Sequence, residues 1–354
     1  MKCSHDSQWL YLQIFIQETL ETPFERDLII RLGDELITPH VREWVEHCRA
    51  RGWMSRFFFM RFGNEGYHLR LRIEGRPEEL QSSVKPYLEK GVEVFFNTHL
   101  SSLGLPDASL SAKDLWRMGR LRQAVYEPEQ AKYGGAAGMP LAEEHFEVSS
   151  EVTFDILDAE RESGVRRSQF VLELIYMLIR AFSDSPLAQA FILKTYTHYW
   201  VPLKRLRLNP SMARTLESNY ERQRAGFLRR FDAGGAGTLE RTWQSKPHNP
   251  FPRWREHVFE HVKRLKTLEA SGGVSAAQFD GDNLQRGLLP DVPDIERAPV
   301  VSLLMITNYL HMLCNRLALP PLYEVQMTYL LYRYLEEKFD IRSGLYPVLL
   351  EPES

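Results

Sequence analysis

Residues 66–75 read GYHLRLRIEG, and they follow RFFFMRF at 56–62 across the short connection GNEG. In a strand successive side chains take opposite faces. Tyr67, Leu69, Leu71 and Ile73 then share one face, while His68, Arg70, Arg72 and Glu74 share the other. Two such runs joined by a Gly-containing connection read as a hairpin.

Working outward from it, WLYLQIFI (9–16) is a further strand, apolar on both faces. Residues 23–52 have helical spacing and read as two helices broken near Pro39. The run from Arg76 to Leu100 is mainly helix, and 114–128 alternates enough for a fourth strand with Arg120 and Arg122 on one face. The order β-α-α-β-β-α-β predicts an antiparallel sheet with helices. Beyond residue 139 helix dominates: Met139 and Pro140 open one, and others follow from Gln169, Pro186, Pro210 and Trp254, then over about 296–318 and 321–340. Two Gly-, Ser- and Asp-rich loops, 232–250 and 271–294, separate the later helices. The fold class is α+β: an N-terminal sheet-containing portion (1–135) followed by a mainly helical one (136–354).

With 354 residues, 44% hydrophobic and 26% charged, the composition is that of a globular protein. A formal charge of −3 gives no global attraction to nucleic acid or anionic membrane, so any anion site must be local. No apolar run approaches the roughly 20 residues of a membrane span, and the N-terminus lacks an apolar signal core. A cytoplasmic location is expected. Cys3, Cys48 and Cys314 are scattered, which argues against a disulfide framework or a cysteine zinc site. The eleven histidines form no HExxH, and His198 and His311 stand alone in sequence. Neither a metal nor any other cofactor is expected; a homodimer is compatible with all of this.

Three stretches carry candidate chemistry. His68, Arg70 and Arg72 form either the solvated back of a sheet or a cradle for carboxylates and peptide carbonyls, which suit the planar guanidinium fork. YEPEQAKYGGAAG (126–138) pairs glycines with Glu129 and Lys132, three apart; it lacks the GK[ST] ending of a phosphate loop. In VVSLLMITNYLHMLCNRL (300–317), Asn308, His311 and Asn315 form one helical stripe and Ser302, Tyr309 and Arg316 a second. Such an apolar helix is mostly buried, so these polar groups are either a structural hydrogen-bond network or a histidine placed for proton transfer beside Tyr309.

In this order the stretches resemble three motifs of the C-terminal elimination domain of lantibiotic dehydratases. RFFFMRFGNEGYHLRLRI is similar to its basic strand, YEPEQAKYGG to its Y-x-P-E-x-x-R-Y-G-G, and YLHMLCNRL to its HMxxNRL. The resemblance spans roughly 9–340 and implies one elimination-domain-like unit with a shared cleft. In that family the domain removes glutamate from glutamylated Ser or Thr of a ribosomally made precursor peptide. The implicated residues fall on Arg70 or Arg72, Glu129 and His311. The motif arginine falls on Lys132, which keeps the charge but loses the bidentate fork.

The dehydratases also carry a long upstream glutamylation domain that this sequence does not show. Stand-alone chains of this pattern resemble two relatives from thiopeptide antibiotic pathways: a split elimination subunit, and a pyridine synthase. The latter joins two dehydroalanines by a formal [4+2] cycloaddition, losing water and the leader peptide as the macrocycle closes. The departure at Lys132 favours the synthase; a non-catalytic peptide-binding scaffold is the third reading. On the synthase reading His311 shuttles protons and Tyr309 is the acid or hydrogen-bond donor. Arg70, Arg72 and His68 hold peptide carbonyls, with Glu129, Lys132, Ser302, Asn308 and Asn315 completing the substrate pocket. The leader would dock on the N-terminal portion.

Overall fold

The computed structural model describes residues 7–17, 26–102, 118–203, 210–231, 234–274 and 300–341. The chain divides into two compact units. The first comprises Met1–Pro128, Glu143–Glu162 and Asn315–Ala318; the second comprises Glu129–Ala142, Ser163–Cys314 and Leu319–Ser354.

The first unit is built on four antiparallel strands: β1 (Gln8–Gln17), β2 (Arg56–Phe62), β3 (Tyr67–Gly75) and β4 (Leu121–Ala124), in the order β2-β3-β1-β4. The hairpin falls where its alternation puts it, with Glu65 and Gly66 at positive φ in the turn. On one face Leu69, Leu71 and Ile73 lie opposite Ile14, Leu12 and Leu10 of β1, and all six are buried. The first helices break as expected near Pro39: Arg26–Glu35 and Arg42–Ala50 flank an irregular turn at Leu36–Val41. Arg42 fastens that region to the later helix Gly135–Ser163 through Asp155 and Asp158, at 2.7 and 2.6 Å.

The strand expected over 114–128 is shorter than its alternation suggested. β4 spans four residues, and 114–117 lie outside the described residues. The helix expected to open at Met139 and Pro140 begins at Gly135, so Pro140 sits inside it. Glycine makes the earlier start feasible. Gly134 and Gly135 have positive φ, and a Cβ on Gly138 would lie 2.0 Å from the Tyr133 carbonyl oxygen.

β2 is an edge strand, and an uncovered edge invites pairing with other chains. Here side chains occupy its outward amides. Phe57 N–H donates to Glu147 Oε1, Phe59 N–H to Ser150 Oγ and Arg61 N–H to Asn315 Oδ1, at 3.3, 3.2 and 3.0 Å. Phe154 stacks on Phe57 and Phe59, while Phe146 meets Phe58.

The second unit is helical: Arg167–Phe182, Pro186–Leu203, Pro210–Leu228, Thr238–Thr242, Phe251–Ala270, and the two final helices Val300–Arg316 and Pro321–Lys338. Of the excursion expected at 232–250, the described part is held down. Buried Glu173 accepts the Leu239 and Glu240 amides at 3.0 and 2.9 Å and pairs with Arg230 at 2.9 Å. A carboxylate at a helix N-terminus satisfies donors that lack intrahelical partners. Most of the loop 271–294 lies outside the described residues. No described helix is long and apolar enough to cross a membrane.

Candidate functional site

The basic strand lies in the first unit. His68 and Arg72 are buried at 2% and 7% exposure, so this is not a solvated sheet face. The cross-strand register explains how cations are accommodated there. Arg72 lies between Tyr11 and Phe58, Arg70 between Gln13 and Met60, and His68 between Phe15 and Phe62. The Arg72 guanidinium sits 4.4 Å from the Tyr11 ring centre, 5.2 Å from Phe58 and 5.1 Å from Tyr126. Arg70 sits over Phe62 and donates from Nε to His68 Nε2 at 3.2 Å, while His68 Nδ1 faces the Gly66 carbonyl at 2.9 Å. Aromatic faces attract cations, and the attraction grows with desolvation. Burial pushes the His68 imidazole below its ordinary range. Of the two arginines, only Arg70 is half-exposed.

Tyr126 also donates to Glu143 Oε1 at 2.9 Å, and Arg56 lies 3.6 Å from the same carboxylate. Burial still raises the Glu143 carboxyl above the usual range, because Tyr126 and Arg56 offset only part of the desolvation cost.

Asn315 belongs to the first unit as well, and its amide pairs with the backbone of β2. Oδ1 accepts Arg61 N–H at 3.0 Å and Nδ2 donates to the Arg61 carbonyl at 2.9 Å, as a neighbouring strand would. Arg316, fully buried, donates to Ser150 and Ser149 and lies over Phe146, while its own carbonyl accepts Arg61 Nε at 2.7 Å. Asn315 was expected to meet substrate. One donor and one acceptor of its amide hold the edge of the sheet.

The second unit contains His311, Tyr309, Asn308, Ser302, Glu129 and Lys132. His311 points Nδ1 at both carboxylate oxygens of Glu324, at 3.1 and 3.2 Å. The histidine side chain is 24% exposed and the glutamate 1%. Glu324 also accepts the Tyr196 hydroxyl at 2.8 Å. Nδ1 thus faces a buried carboxylate acceptor.

Tyr309 is placed differently from expectation. It is fully buried, its hydroxyl lies 3.3 Å from His261 Nε2, and its ring stacks on Tyr133 of the YGG turn. His261 is held far below the ordinary imidazole range by burial, with His257 adding to the effect. Asn308 donates to the Lys132 carbonyl at 3.0 Å, so Asn308 and Tyr309 together seat the turn. Ser302 is buried, and both its N–H and Oγ donate to Glu269 Oε2, at 2.9 and 2.7 Å. Lys132 and Glu129 form a solvent-facing pair at 2.6 Å.

The matching family model is described as lantibiotic biosynthesis dehydratase C-term, and it covers residues 9–335. This chain belongs to that family. Three solved structures share the fold of this lantibiotic dehydratase C-terminal chain, each at 18% identity. TsrL covers 95% of this chain and 96% of its own, with a TM-score of 0.62. TbtD, the pyridine synthase from thiomuracin biosynthesis, covers 94% and 99%, with a TM-score of 0.63. The tRNA-dependent lantibiotic dehydratase MibB from Microbispora sp. 107891 matches 96% of this chain at a TM-score of 0.61, and the match spans 29% of MibB. No curated protein matches the sequence.

Within this family member the sequence motifs divide by what they touch. YGG and NRL are occupied by packing, whereas His311 retains access to solvent. Glu324 and Tyr196 escaped sequence reasoning. An acid in the first turn after Pro321 reads as a helix-dipole complement, and nothing local marks it as buried. Among the described residues no cluster of His, Cys, Asp or Glu is arranged to hold a metal ion.

Proposed function

We propose that this member of the lantibiotic dehydratase C-terminal family is a thiopeptide pyridine synthase. It would act on a precursor peptide carrying a leader, azoles and two dehydroalanines. The observation that carries the reading is the pair Glu129–Lys132. At the position where the elimination motif has an arginine, this chain has an ammonium already taken by a carboxylate. A bidentate fork for the glutamate of a glutamylated substrate is therefore missing there. The fold shared with TbtD over nearly the full length of both chains supports the same reading.

On this reading one dehydroalanine and its neighbouring amide, as the iminol, form a 2-azadiene, and the second alkene adds across it. Two new carbon–carbon bonds, one at each end of the azadiene, close a hydroxylated six-membered ring that already contains the amide nitrogen. The hydroxyl leaves as water and the leader leaves as an amide, each loss taking one ring proton, and a pyridine remains. Alignment of the two alkenes can recover about 7–11 kcal/mol of barrier, so positioning is the larger part of catalysis. Proton traffic falls to His311, the solvent-reachable imidazole held by a carboxylate. Arg70, half-exposed over Phe62, is the basic-strand group that meets peptide carbonyls; Arg72 serves the sheet.

Mass spectrometry of two incubations tests the proposal. A dehydrated, azole-bearing peptide should lose water plus leader, and a glutamylated peptide should be unchanged. Loss of glutamate from the second peptide, with the first untouched, would replace the synthase by an elimination subunit. Binding without any mass change would leave a scaffold.

A further inference from the structure

Glu324 is in the first turn of its helix, where an acid that merely complements the macrodipole would be solvated. Instead its side chain is 1% exposed. A carboxylate is taken out of water at a cost that only good partners offset. The partners are the hydroxyl of Tyr196, a residue only 2% exposed, and His311 Nδ1. The scaffold below them is fixed. Thr197 and Thr328, one residue after Tyr196 and one turn after Glu324, share a hydrogen bond of 2.8 Å, and both are fully buried. Farther along the same helix pair, Lys194 reaches Glu336 at 3.3 Å. The helices Pro186–Leu203 and Pro321–Lys338 thus hold the carboxylate at a set angle to the imidazole.

We propose that Glu324, oriented by Tyr196, is the positioning residue that holds His311 as the Nδ1–H tautomer and thereby makes Nε2 the proton acceptor of the reaction. The reaction itself rests on the pyridine-synthase reading; the tautomer does not. When Nε2 takes a proton from the substrate, the imidazolium that results lies against a buried carboxylate, and the proton can be returned to the departing hydroxyl. Proton number is conserved over the cycle. Glutamine at position 324 would reverse the geometry. Its amide N–H can donate to Nδ1, which stabilises the tautomer protonated at Nε2, as asparagine does in place of the aspartate of a serine-protease triad.

Nitrogen-15 NMR of the histidine side chains, with His311 assigned by its absence in His311→Ala, reads the tautomer directly. The wild type at pH 8 should show Nδ1 protonated. Glu324→Gln should move the proton to Nε2 and lower kcat on the dehydrated peptide by about 10²- to 10⁴-fold, with KM within about twofold. Tyr196→Phe should keep the tautomer and lose less than about tenfold. A wild-type ring protonated at Nε2, or a Glu324→Gln ring unchanged from wild type, overturns the proposal. So does a flipped tautomer with wild-type turnover. If Glu324→Gln fails to fold, the wild-type tautomer and its retention in Tyr196→Phe still decide the matter. If the tautomer behaves as expected in a protein that converts neither test peptide, the positioning stands and the synthase reading falls.

Discussion

Replacing Asn315 by alanine separates a structural role from a substrate-binding one. The amide makes two hydrogen bonds to the backbone N–H and C=O of one residue, Arg61, at 3.0 and 2.9 Å, on the outer edge of β2. A hydrogen bond contributes about 0.5–1.5 kcal/mol net, and a partner left without one in a half-buried site costs somewhat more. Alanine removes both and leaves Arg61 N–H and C=O facing a gap beside the Arg61–Asp34 ion pair. The expected loss is about 2–3 kcal/mol. At the size of the first unit that corresponds to about 5–10 °C in Tm. Aspartate is a graded control: it still accepts from Arg61 N–H but sets a carboxylate oxygen against the Arg61 carbonyl, so it restores at most one of the two bonds. Differential scanning fluorimetry gives the Tm, and hydrogen exchange at the Arg61 amide gives the local effect. At a temperature below both transitions, KM of the variant should stay within about twofold of wild type. An unchanged Tm together with a protected Arg61 amide and a much higher KM would refute the reasoning and return Asn315 to the substrate.

Two further perturbations probe the buried polar groups. Tyr309→Phe removes the hydroxyl facing His261, so stability should fall by about 0.5–1.5 kcal/mol while kcat stays within about threefold; a collapse of kcat in a folded variant would make the tyrosine an acid after all. Glu143 has its carboxyl raised above the usual range by burial, so the native state favours the protonated form more than the unfolded chain does. Its contribution is therefore most favourable below the unfolded-state value and declines as pH rises toward the native one. Glu143→Gln, which can still accept from Tyr126, should gain in Tm relative to wild type between about pH 4 and pH 8. A gain that shrinks over that range would contradict the sign.

The sheet strands were legible because period-two alternation is a local property, and GYHLRLRIEG displays it in full. What covers a face is not local. The same alternation is satisfied by arginines in water and by arginines laid on rings, and the difference lies in register: Tyr11 and Phe58 flank Arg72 only because β1 and β2 pair with β3 as they do. The final helix shows the same limit from another side. Asn308, His311 and Asn315 lie on one stripe, yet the structure puts Asn308 on the Lys132 carbonyl, Asn315 on the Arg61 peptide and His311 on Glu324. A helical stripe states a common direction at one moment of the turn, and over two turns it meets three different neighbours. His311 and Glu324 lie thirteen residues apart, joined through a helix end where Ala318 takes φ 54° and the Leu319 amide returns to the Cys314 carbonyl. That turn reverses the chain, and the reversal sets a first-turn acid against a histidine of the preceding helix. Histidine was identifiable from its motif, but its partner follows from the reversal angle. Side-chain chemistry in this protein is therefore decided less by which polar residues share a stripe than by which of them the backbone has already claimed. By that criterion Asn315 and Asn308 are claimed by backbone, Arg316 and Ser302 are claimed by buried side chains, and His311 lies against Glu324 with 24% of its side chain exposed.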